Sequence, residues 1–218
     1  MNLHERSYSH IIWDWNGTLL NDAWLCVDVM NGMLRERHLP ERTMEQYRDI
    51  FDFPVKDYYA QLGFDFNQEP FEIVGMDFVI RYNERQKETS LHAEVPKVLQ
   101  SLSDRGFRQY ILSAREQSEL ITETRELGVF GFFDRIFGLD DHYAHGKTDV
   151  GHKLIKTIGV PREVLLFIGD TRHDAEVAKE IGIDCILIPN GHHSPERLGG
   201  FSFPVIPSLT ELIHILCG

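Results

Sequence analysis

No stretch of this sequence is apolar for long enough to cross a bilayer, which takes about 20 residues in a helix. The opening residues, Met1 to His10, are polar and hold no apolar core of a secretory signal. No membrane partner is expected, and a cytoplasmic location is. Cysteine is scarce: Cys26, Cys185 and Cys217 lie far apart, and none belongs to a CxxC pair. That argues against a disulfide framework or a thiolate zinc site and fits a reducing compartment. Positive charge is also short, with 22 Lys and Arg against 34 Asp and Glu, a formal net charge of −12. A phosphate backbone repels so acidic a chain, which makes a general nucleic-acid partner a poor fit. A small anion can still be held locally or through a bridging cation. Internal repeats and low-complexity tracts are missing too, and the composition is that of a globular protein.

What is present is alternation. Short apolar runs cover His10–Trp13, Gln109–Leu112, Arg135–Phe137, Val164–Ile168 and Cys185–Ile188. Runs of this length suit strands buried on both faces. Helix-like segments separate them. One opens at Pro96 and closes at Gly106; the others cover Glu116–Leu127, His152–Ile158, Asp174–Ile181 and Ser208–Leu216. The pattern predicts an α/β fold, a Rossmann-like doubly wound parallel sheet. From Leu20 to about Leu91 the rhythm breaks. Amphipathic segments Ala23–Arg37, Met44–Ile50, Val55–Leu62 and Phe71–Gln86 follow one another, rich in Met and aromatic residues. We read residues 21–91 as a helical domain inserted into a core made of residues 1–20 and 92–218. Most of its aromatics, Tyr58, Tyr59 and Phe78 among them, are expected in its own core, with a minority facing a ligand.

Ligands of open α/β sheets bind at the carboxyl ends of the strands. Those ends carry Asp14, Ser113 and Asp170, with Lys147 in a connecting loop and Asp174 one helical turn beyond Asp170. Clustered carboxylates need a neutralising charge. A hard divalent cation such as Mg2+ supplies it, and keeps coordination sites for water and a phosphate. Asp14, Asp170 and Asp174 would suit that ion. Lys147 and Ser113 would hold phosphate oxygens, and the turn at Gly17 and Thr18 would offer backbone N–H groups to the anion. The set reads as phosphoryl transfer.

The segment Ile11-Ile12-Trp13-Asp14-Trp15-Asn16-Gly17-Thr18-Leu19-Leu20 resembles the first motif of the haloacid dehalogenase superfamily, a strand ending in D-x-D-G-T. Ile111-Leu112-Ser113 resembles the second, Lys147 stands where the third motif's lysine belongs, and Gly169-Asp170-Thr171-Arg172-His173-Asp174 resembles the fourth. The order and spacing agree across nearly the whole chain. The resemblance implies a magnesium-dependent phosphatase acting on a small phosphorylated substrate, with Asp14 as nucleophile forming an aspartyl-phosphate. It implies Mg2+ held by Asp14, the backbone carbonyl of Asn16 and Asp170, with Asp174 as a further ligand. Ser113 would bond a phosphoryl oxygen, and Lys147, with Lys153 as the alternative, would neutralise the site. The helical insert matches the cap domain of phosphoglycolate phosphatase-like members.

One position departs from the pattern. Phosphatases of that superfamily usually carry Asp two residues after the nucleophile, as the general acid and base; here it is Asn16. An amide does neither job. Three readings follow: a phosphatase whose leaving group is good or whose acid comes from elsewhere, related chemistry such as phosphonate hydrolysis, or a binding protein with weak or lost catalysis. A phosphonate hydrolase would need a cap lysine, and Lys56 and Lys87 are the only ones in the insert. A dehalogenase would not need the metal ligands. Arg115 either contacts substrate or forms an ion pair. Arg172 and His173 lie between the two acids of the last motif. His192 and His193 are expected in a solvated loop beside the site, where either could supply the missing proton. His142 and His145 form a histidine pair with no third ligand spaced for a metal.

Overall fold

The apolar runs and the segments between them assemble in chain order. In the computed structural model, which describes residues 7–139, 146–200 and 202–217, the chain opens with strand β1 (His10–Trp13) and a two-residue strand β2 (Leu20–Asn21). Helices α1 (Ala23–Glu36), α2 (Met44–Ile50), α3 (Val55–Leu62) and α4 (Phe71–Arg85) follow before β3 (Ser90–Leu91) pairs back, antiparallel, onto β2. Next come α5 (Val95–Asp104), β4 (Arg108–Glu116), α6 (Gln117–Glu126), β5 (Arg135–Leu139) and α7 (Lys147–Ile158). The chain ends with β6 (Leu165–Gly169), α8 (Arg172–Ile181), β7 (Asp184–Leu187), α9 (Pro195–Leu198) and α10 (Leu209–Cys217).

The five longer strands form one sheet in the order β5-β4-β1-β6-β7, and every neighbouring pair is parallel. Alternate residues feed opposite faces. Ile11, Trp13, Ile111 and Ile168 pack under α5 and α10, while Ile12, Leu112 and Phe167 pack under α7 and α8. This is the doubly wound α/β sheet that the alternation predicts. The connections leave β1 toward β4 on one side and β6 on the other, so the carboxyl end of β1 is the switch point where such sheets open a crevice. Helices α1 to α4 share a separate apolar cluster, with Leu25, Met33, Tyr58, Tyr59 and Val74 inside it. Among the described residues no helix is long and apolar enough to cross a membrane.

Three local expectations need correction. Strand β4 does not stop at Ser113 but runs on to Glu116, its register against β5 shifting after Leu112. Lys147 is not in a loop. It opens α7, five residues before the apolar period becomes visible at His152, because the first turn of that helix is Lys147, Thr148 and Asp149. The β2–β3 pair at the root of the insert is too short to leave any periodic signal.

Candidate active site

The carboxylate of Asp14 follows β1, and its backbone N–H donates to the carbonyl of Ile168 at 2.8 Å. Lys147, on the first turn of α7, reaches Asp14 Oδ1 with its Nζ at 2.5 Å and Asp174 Oδ1 at 2.6 Å. All three are buried. Asp174 is fixed by a capping box at the start of α8: its Oδ2 accepts from the Thr171 hydroxyl at 2.6 Å and the Thr171 N–H at 2.9 Å. Asp170, also buried, accepts from the Thr18 hydroxyl at 2.9 Å and from the His192 N–H at 2.6 Å. Oxygens of Asp14, Asp170 and Asp174 lie within 4.8 Å of one another. Burial, partly countered by Lys147 and reinforced by the neighbouring acids, lifts the Asp14 carboxyl to about 8. Burial likewise lifts Asp170 to about 6, against the pull of His192. Three buried carboxylates around one ammonium are short of positive charge, and the donors are all hard oxygens. That donor set fits a divalent cation such as magnesium.

Ser113 is buried, lines the same cavity as Asp14, and accepts from the Arg115 N–H at 3.0 Å. Gly17 stands at φ 78°, and a Cβ there would sit 2.4 Å from Asp170 Oδ2, so this turn requires glycine. Its N–H is directed to Asp22 Oδ1 at 2.8 Å and to the Leu20 carbonyl at 2.9 Å. Thr18 contributes through its hydroxyl to Asp170. Arg115 is compensated by Glu123 at 3.3 Å and Glu119 at 3.4 Å, and it stacks over the ring of Tyr82. Lys153 is exposed, and neither Lys56 nor Lys87 lines the cavity. His142 and His145 lie outside the described residues.

Beside this cluster lies a second one that the motifs do not reveal. The Asn16 amide donates to Asp22 Oδ2 at 2.8 Å and to the Tyr82 hydroxyl at 3.1 Å, and that hydroxyl donates to Asp22 at 2.8 Å. His192 Nε2 lies 3.4 Å from Asp22 Oδ1, and its Nδ1 shares a 2.7 Å hydrogen bond with the Tyr47 hydroxyl. Burial opposes both charges, yet each sustains the other: Asp22 is held down to about 2 and His192 raised to about 9. The pair is therefore ionic. The loop expected to be solvated is buried instead, because α2 closes over it. Arg48 donates to the Gly191 carbonyl at 2.9 Å and to the Asn190 carbonyl at 3.3 Å. His193 is fully buried, accepts from the Arg172 N–H at 3.0 Å and is pushed down to about 4 by burial, hence neutral. His173 packs on the ring of Phe53, with centroids 4.7 Å apart, and burial lowers its pKa.

Asp22 reads in the sequence as an ordinary helix cap. It does stand at the N-cap of α1, but its side chain makes no cap bond. Tyr82 arrives from α4, 60 positions further on, with nothing in the local pattern to mark it.

A family model described as haloacid dehalogenase-like hydrolase matches residues 11–188. A 5'-nucleotidase of Pseudomonas aeruginosa is 25% identical over 88% of this chain and 87% of its own. A phosphoglycolate phosphatase of Rhodobacter capsulatus is 22% identical over 92% of this chain and 96% of its own. Among solved structures, a haloacid dehalogenase-like family hydrolase from Streptococcus pneumoniae superposes with a TM-score of 0.82 at 24% identity, covering 95% of this chain and 98% of that one. At that identity the likeness speaks for the fold.

Proposed function

The chain belongs to the haloacid dehalogenase-like hydrolase family and is an enzyme of its phosphatase kind; from that premise we propose that it cleaves a small phosphate monoester through an aspartyl-phosphate on Asp14, with magnesium bound. The observation that carries this reading is the contact of Lys147 with both Asp14 and Asp174, beside Asp170 at the switch point of the sheet. Asp14, Asp170 and the backbone carbonyl of Asn16 would hold the ion, with Asp174 as a further donor. When bound, the ion neutralises charge on the phosphoryl oxygens and on the attacking carboxylate.

The protein's own groups do the rest. In its ionised form, which Lys147 favours against the cost of burial, Asp14 lines the cavity; its oxygen attacks phosphorus and the ester P–O bond breaks. Ser113 donates to a phosphoryl oxygen, and Lys147 offsets the negative charge that gathers there. Water then hydrolyses the acyl phosphate and restores Asp14. Both bonds made by the Asn16 amide point at Asp22 and Tyr82, so this residue organises the site and gives no proton to the leaving group. We further propose that residues 21–91 act as a cap domain over the core of residues 1–20 and 92–218, shielding the bound ester from bulk solvent and shaping the space for its leaving group.

The test is release of inorganic phosphate from a set of simple esters. We expect turnover that depends on Mg2+, is stopped by a chelator, and falls to background in Asp14→Asn. Turnover that persists in Asp14→Asn would remove Asp14 from the chemistry.

A further inference from the structure

The cavity above Asp14 has a volume of about 230 Å³, and the two parts of its wall differ. The core supplies Asp14, Asn16, Ser113 and Lys147; the insert supplies Phe51, just past α2, Tyr58 of α3, and Phe71 and Phe78 of α4. The rings make an unbroken series. Phe51 and Tyr58 meet edge-on with centroids 5.2 Å apart, Tyr58 and Tyr59 at 5.8 Å, and Tyr59 and Phe78 at 6.3 Å. Phe51, Phe78 and Val79 are only half-buried and line the cavity, so part of their apolar surface is left uncovered there.

The cations around the cavity are already matched. Lys147 is shared by Asp14 and Asp174, Arg115 by Glu119 and Glu123, and His192 faces Asp22. Among the described residues lining it, each lysine and arginine already faces a carboxylate, so a second anionic group, such as a carboxylate on the leaving group, would compete with those acids. Three buried polar atoms of its lining residues have no hydrogen-bond partner: Arg115 Nε, His173 Nε2 and, among the rings, the Tyr58 hydroxyl.

Volume and chemistry agree on what fills such a space. An apolar cavity of about 150 Å³ accepts one benzene ring, so this one takes a single ring with a phosphoryl group beside it. Asn16 offers no proton, which penalises an alkoxide leaving group. A phenol ionises near 10, as tyrosine does, and leaves far more readily without one. We infer that the substrate is the phosphate monoester of a monocyclic phenol, its ring seated among Phe51, Tyr58, Phe71 and Phe78 and its phosphoryl group at Asp14. The Tyr58 hydroxyl is placed to bond one polar substituent on that ring.

This inference rests on the phosphatase reading. In the step it describes, the Asp14 oxygen–phosphorus bond forms and the phosphorus–aryl oxygen bond breaks. The electron pair departs on the phenolate, which takes its proton from solvent. Water then cleaves the acyl phosphate to inorganic phosphate.

The magnesium-loaded full chain should be assayed with phenyl phosphate, 2-phosphoglycolate and adenosine 5'-monophosphate. We expect kcat/KM for phenyl phosphate to exceed the other two by roughly a hundredfold, the scale of burying one ring. Val79→Lys, which puts a cation among the rings, should raise KM for phenyl phosphate about tenfold while the inhibition constant of inorganic phosphate stays where it was. If 2-phosphoglycolate or the nucleotide is turned over as well as phenyl phosphate, the phenol inference falls and the phosphatase reading stands. An unchanged KM in a folded Val79→Lys also removes the ring from this wall. If no ester is turned over, both fall. The wild-type ratios decide the matter even if that variant does not fold.

Discussion

At the scale of single residues, the unusual feature is the ionic pair of Asp22 and His192 behind Asn16. Its pH behaviour follows from the two shifts. His192 is raised from its ordinary 6.5 to about 9, so its stabilising contribution is complete below the ordinary value and is lost as pH rises through the raised one. Asp22 is lowered from 3.8 to about 2, so its contribution is present above the ordinary value and is lost as pH falls through the lowered one. In NMR titrations the His192 ring should therefore change charge near 9 in the wild type and at much lower pH in Asp22→Asn. A His192 titration near the ordinary histidine value in the wild type would contradict the pairing. Asn16→Asp sets a second carboxylate against Asp22, which keeps one of the two protonated. That supplies the missing acid, so we expect alkyl phosphate esters to gain about 10²-fold or more in kcat, with little change for phenyl phosphate. An equal gain for both would show that leaving-group protonation is not what Asn16 withholds.

The sequence makes Asp14, Ser113, Lys147 and Asp170 readable because each stands at or just beyond the end of an apolar run, or in a motif of fixed spacing. Asp22 and Tyr82 are silent for the opposite reason. One looks like a routine helix cap, and the other meets it only through the packing of α4 against the core. His192 is visible but its environment is not, since burial there depends on a helix some 140 positions earlier in the chain.

At the scale of elements, the loop after β7 is as much a part of the site as the strand ends. Gly191 lies so close to the acidic cluster that a Cβ would meet Asp170 Oδ2 at 2.0 Å and the Gly17 carbonyl at 2.6 Å. Neither neighbour is the free end of a flexible chain. Gly191→Ala must therefore displace Asp170 or lift the loop. We expect it to cost about 1–3 kcal/mol in urea unfolding and to weaken magnesium binding about tenfold or more by calorimetric titration. Unchanged magnesium affinity would show that the loop does not set Asp170. The longer elements are legible from periodicity alone; α2 and α3 fall where the amphipathic pattern puts them. The β2–β3 pair and the first turn of α7 are not, because two residues carry no period and a polar first turn carries no apolar one.

At the scale of the whole molecule, the helical insert and the sheet are joined across the cavity by a few polar contacts. Arg48 of α2 holds the Asn190 and Gly191 carbonyls, while Arg197 of α9 bonds the Phe51 carbonyl and pairs with Asp52 at 2.6 Å. In the proposed cap function these contacts favour the closed arrangement. The double variant Arg48→Ala/Arg197→Ala should then raise KM for phenyl phosphate several-fold with the near-UV circular dichroism of the wild type. An unaltered KM would mean that closure does not depend on them. The formal charge of −12 acts at this scale as well. It would draw the proposed magnesium ion toward the acidic cluster, an attraction that weakens as salt screens it.

The proposed nucleophilic role of Asp14 unites these scales, and one experiment addresses it most directly. The magnesium-loaded protein is mixed with phenyl phosphate, quenched in acid during turnover, and its peptides are searched by mass spectrometry for a covalent phosphoryl group. The group should be found on Asp14 in the wild type and be absent both without magnesium and in Asp14→Asn. A phosphoryl group on any other residue, or steady hydrolysis by Asp14→Asn, would contradict the proposed chemistry.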